Sequence, residues 1–107
     1  MVLKKKTRKR EFVYWASVMV LDAKGKPPPE NTELLIECVF ADTTKGNHVS
    51  MVSVVVKTHA DGGITHPFLV TSKTAYLRAT CRGKDARGFA KGGSDTSLDI
   101  TLDEEKK

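Results

Sequence analysis

Among the residues able to do chemistry, the cysteines, the histidines and a basic run come first. Cys38 and Cys81 are the only cysteines, and they stand 43 positions apart. That spacing excludes a CxxC redox or zinc pair. The three histidines are His48, His59 and His66, with Asp61 between the last two. A metal could be held there, but the spacing matches no zinc pattern and no cysteine is near in sequence. Solvated turn histidines are the alternative. GxSxG, HExxH and P-loop patterns are absent, and no carboxylates pair in an identifiable cleft. The expectation is a non-enzymatic chain with no cofactor and no metal.

The basic run KKKTRKR carries Lys4, Lys5, Lys6, Arg8, Lys9 and Arg10, six of the 18 basic residues. The other 12 meet all 13 acidic residues, leaving the body at about −1 of a total of +5. A nucleic-acid-binding domain usually spreads positive charge over a folded face, whereas here the charge sits in a tail. Such a tail suits an acidic protein, lipid or nucleic-acid surface. It also fits a nuclear-localisation string or a solvated end.

The elements that must position these residues read as strands and turns. EFVYWASVMVL (11–21) is rich in β-branched and aromatic residues. ELLIECVFA (33–41) alternates, with Glu37 opposite Leu34, Ile36, Cys38 and Phe40. HVSMVSVVVKT (48–58) directs Val52, Val54 and Val56 inward, and ITHPFLVT (64–71) follows Asp61-Gly62-Gly63. TAYLRATCR (74–82) and TSLDITLD (96–103) alternate cleanly, and the glycine-rich stretch 83–95 between them reads as a loop. No segment has helical periodicity, none is long and apolar enough to span a membrane, and none reads as a secretory signal. Six or seven short strands at this spacing predict an all-β, two-sheet sandwich of about seven strands. Residues 1–10 would form a flexible basic arm, 11–103 the sandwich and 104–107 a charged end. The three prolines 27–29 lack backbone donors and stiffen the chain, so they mark a crossing from the first strand to the other sheet.

Three pieces in order, VMVLDAKGKPPPENTELLIECVF, KTHADGGITHPFLV and TAYLRATCRG with TSLDITL, resemble the bacterial and phage immunoglobulin-like domains of the invasin type. The likeness covers roughly residues 16 to 102, with extra prolines, His66-Pro67 inside a strand and the long final loop as departures. It implies an immunoglobulin-like sandwich and a non-catalytic module of the kind used in adhesins and on virion surfaces. In that topology the strands bearing Cys38 and Cys81 lie in opposite sheets, so the thiols would either form a disulfide across the core or remain buried and reduced. The internal Lys–Asn or Lys–Asp bond found in some immunoglobulin-like surface domains lacks an inward Lys on the first strand.

The first strand is apolar on both faces: Phe12, Tyr14, Ala16, Val18 and Val20 on one, and Val13, Trp15, Met19 and Leu21 on the other. Val49, Met51 and Val55 make the back of the third strand apolar too. A free sandwich shows water one polar face per strand, so part of the outer surface should be covered by another protein chain. The expected role is a structural or decorating protein of a virus particle, made in a host cytoplasm. It would dock on a protein lattice, or on its own copies, through Lys4, Lys5, Lys6, Arg8, Lys9, Arg10 and whichever of Tyr14 and Trp15 faces outward. Residues 1–15 would then order only on docking. A bacterial adhesion or carbohydrate-binding module and a nucleic-acid-binding protein acting through its tail are the alternatives.

Overall fold

The computed structural model describes residues 11–29, 31–42 and 48–103. The basic arm, Lys4 to Arg10 included, and the end 104–107 lie outside the described residues. Seven strands run in order: β1 (Phe12–Leu21), β2 (Glu33–Asp42), β3 (His48–Lys57), β4 (Gly63–Val70), β5 (Thr74–Cys81), β6 (Lys84–Lys91) and β7 (Asp95–Thr101). They form two sheets of an immunoglobulin-like sandwich, three-stranded β4-β1-β7 and four-stranded β3-β2-β5-β6. β1 is antiparallel to β4 and parallel to the terminal β7, so the first and last strands are neighbours.

Period-two alternation determines which side chains fill the space between the sheets. Tyr14, Ala16, Val18 and Val20 from β1 meet Leu34, Ile36 and Cys38 from β2, Leu77 and Ala79 from β5, and Leu98 and Ile100 from β7, all buried. Each large aliphatic side chain withdrawn from water in this way stabilises by about 1.5–3 kcal/mol. The inward assignment for β3 holds less well. Val54 and Val56 are half-buried, while Val52 is 44% exposed, because β3 is an edge strand.

The proline run is a crossing, as its chemistry predicts: β1 belongs to the three-stranded sheet and β2 to the other. The Asp22 carboxylate accepts the amides of Lys24 (2.8 Å) and Lys26 (2.9 Å) and so fixes the turn that starts it. Pro28 is buried, and the Thr32 hydroxyl donates to the Pro29 carbonyl. On the far side, Gly62 has φ 86, and a Cβ there would strike the Val20 carbonyl and the ring of Pro28. Only glycine permits both that backbone and that approach.

Three expectations need correction. Residues 83–95 are not a loop, since Lys84–Lys91 is strand β6, antiparallel to β5. Arg82 (φ 49) and Gly83 (φ 83) form the two-residue, left-handed turn that joins a tight hairpin. Gly88, which made the stretch look irregular, lies where a Cβ would sit 2.6 Å from the Thr96 side chain, so it lets β6 close against β7. Second, residues 12–15 belong to β1 and pair with β4, and Trp15 also pairs with β7, within the single chain. Ordering of this segment needs no partner. Third, β2 and β5 adjoin in one sheet instead of facing each other across the sandwich.

Candidate protein-binding surface

The adjacency of β2 and β5 decides the state of the thiols. Cys38 pairs in register with Leu77, and Cys81 lies four positions further along β5, about 13 Å away at ~3.3 Å per residue. Bridged cysteines have Cα atoms within about 7 Å. Both thiols are free and buried, acting as small apolar core groups. Burial pushes Cys38 up to about 11 and Cys81 upward as well, the latter opposed by the nearby Arg82 charge. A thiol held protonated is a poor nucleophile.

The histidines do not converge. His59 lies exposed in the β3–β4 turn, where its amide donates to the Gly63 carbonyl and the Asp61 carboxylate accepts the Gly63 amide. His66 is half-buried instead of solvated, edge-on to Phe68 at 4.9 Å. Among the described residues, no three His, Cys, Asp or Glu side chains are grouped to hold a metal. A groove of about 370 Å³ at the proline crossing is lined by Asp22, Lys24, the three prolines and Arg82, with no nucleophile beside a base. Among the described residues, no helix is long and apolar enough to cross a membrane.

What the strands do build is apolar outer surface. Tyr14 is not part of it. It is fully buried, its hydroxyl donating to the Ser72 carbonyl at 2.7 Å, and desolvation raises its pKa against the opposing Gly93 amide. The partner-binding role expected for Tyr14 is therefore corrected: alternation along β1 turns it inward and its neighbour Trp15 outward. Trp15 is 40% exposed, beside Pro67 on β4 and Asp95 on β7. One step along, Val13 pairs with the exposed Leu69. Val13, Trp15, Pro67 and Leu69 thus form one apolar patch at the end of β1 where residues 1–10 join.

The four-stranded sheet carries a second apolar feature. Its register aligns Met51, Val39, Tyr76 and Phe89 as one row across all four strands. Met51 and Phe89 are well exposed. Sequence reasoning found Met51 and set Tyr76 outward but missed Phe89, which lay in the presumed loop. A period-two reading of Ala86, Gly88 and Ala90 against Phe89 was the available signal. The next row is charged and paired: Glu37 Oε1 lies 3.1 Å from Arg78 Nε, and Arg87 Nε 2.9 Å from Asp85 Oδ2. The Glu37 that interrupts β2's outer face is thus the cross-strand partner of Arg78. Comparison of the chain with protein-family models and with curated proteins finds no match.

Proposed function

We propose that this chain is a non-enzymatic structural module that docks on a protein subunit of a large assembly, a virus particle in the reading its sequence resemblance favours. The observation that carries the docking is the outward Trp15, set with Val13, Pro67 and Leu69 at the end of β1 that leads into the basic arm. Exposed aromatics in apolar patches supply interface energy when covered, and an adjacent run of positive charge steers association to an acidic surface. Arm and patch would act together, the arm on encounter and, where salt is low, on retention, and the patch on retention at every salt concentration.

The test is recovery of the protein on its native assembly. Trp15→Ala should weaken retention at every salt concentration, because lost apolar burial is unscreened. Removing residues 1–10 should weaken it most at low salt, where the screening length is greatest. Failure to sediment with any large assembly, or retention indifferent to both changes, would reject the proposal. Loss of nucleic-acid binding without loss of retention would favour the nucleic-acid reading instead.

A further inference from the structure

An open sheet edge offers unpaired backbone groups to any strand that reaches it, and folded proteins block such edges with proline, charge, bulges or cover. Three of the four edges here are treated in that way. β6 and β7 lie against each other, with Gly88 under Thr96 and Leu98. β6 also carries Lys84, Asp85, Arg87 and Lys91. The β4 edge contains Pro67, which supplies no amide.

Among the described residues, β3 has none of these devices. It pairs with β2 without a break from His48 to Lys57, so no bulge twists it away. Between those two ends it reads VSMVSVVV, eight residues without charge, proline or glycine. Both its faces expose apolar side chains: Val49 (74%), Met51 (57%) and Val55 (60%) outward, and Val52 (44%) on the inner side.

We infer that the occupant of this edge is the β3 of a second copy, paired antiparallel about a two-fold axis through Ser53 and joining two four-stranded sheets into one of eight. The strand is self-complementary. A two-fold perpendicular to the sheet keeps outer faces together, so paired positions must share parity. Centred on Ser53, it sets Met51 against Val55 on the outer face and Val52 against Val54 on the inner. The exposed Met51, Val55 and Val52 then enter β-branched and methionine cross-strand pairs. Ser53 meets Ser53, and Lys57 meets Val49, so no like charges oppose. The apolar row Phe89–Tyr76–Val39–Met51 continues into the partner's Val55–Leu35. This interface is separate from the Trp15 patch, and the two stand or fall independently.

The exposed Ser53 is the position that discriminates. In sedimentation equilibrium of the full chain, the wild type should be dimeric at concentrations where Ser53→Lys, which sets two ammonium groups across the axis, is monomeric. Ser53→Glu should be monomeric as well, and an equimolar mixture of the two should recover the dimer. Thr65→Lys, the same charge change on the outer face of the other sheet, should leave the dimer intact, and circular dichroism should show all variants folded. A wild type monomeric throughout, a dimer indifferent to Ser53→Lys, or a mixture that stays monomeric would overturn the inference.

Discussion

Alternation at a single position separates two adjacent aromatic residues with opposite roles. Tyr14 is sealed in the core with its hydroxyl on the Ser72 carbonyl, while Trp15 faces out. The same logic places Cys38 inside, where its thiol stays protonated to about pH 11 against an ordinary 9.0. The consequence for stability has a definite sign. Above pH 9 the unfolded chain loses the Cys38 proton while the folded chain keeps it, so the folded state binds more protons and stability falls as pH rises. Cys81 and Tyr14 are shifted the same way, by burial. Denaturant unfolding should give a stability that is level below pH 9 and declines towards pH 11. Cys38→Ala should reduce that decline while lowering stability overall through the missing sulfur. A decline of the same slope in Cys38→Ala would show that other groups cause it.

At the scale of elements, the hairpin β5–β6 shows how a glycine-rich stretch becomes a strand. Sequence reading takes Gly83, Gly88, Gly92 and Gly93 as one loop, because glycine favours turns. Tertiary structure divides them. Gly83 makes the tight turn, Gly88 lies within a strand pressed on β7, and Gly92 and Gly93 (φ 61 and 74) make the next crossing. Arg82 takes the left-handed conformation without being glycine, which costs roughly 1 kcal/mol or more for an ordinary L-residue. Asn-Gly is the pair this turn type prefers. Arg82→Asn should therefore raise unfolding stability by about 0.5–1 kcal/mol, read as a higher denaturant midpoint with unchanged slope. A lower midpoint would mean that the Arg82 side chain contributes more than its backbone strain removes.

At the scale of the whole molecule, the described residues form a sandwich closed on one side, where β6 meets β7, with β3 as an edge strand on the other. Trp15 is the only tryptophan, so its fluorescence reports on the outer face of β1. A side chain 40% exposed should be quenched readily by acrylamide in the free protein and protected once the patch is covered by a partner. Protection in the free chain would mean that something already lies on that face. The all-β class, six of the seven strands, the turn residues and the proline crossing are legible in the order of residues alone. Each rests on local chemistry: period-two alternation, missing proline donors, and the backbone freedom of glycine. The same order shows that β1 and β3 are apolar on both faces. Which strands adjoin emerges only when the chain folds. That placed Cys38 and Cys81 in one sheet instead of two, turned Tyr14 inward, aligned Phe89 with Tyr76, Val39 and Met51, and made β3 an edge strand. Strand pairing is set by contacts distant in sequence, and no single strand's pattern of side chains records which neighbour it will have.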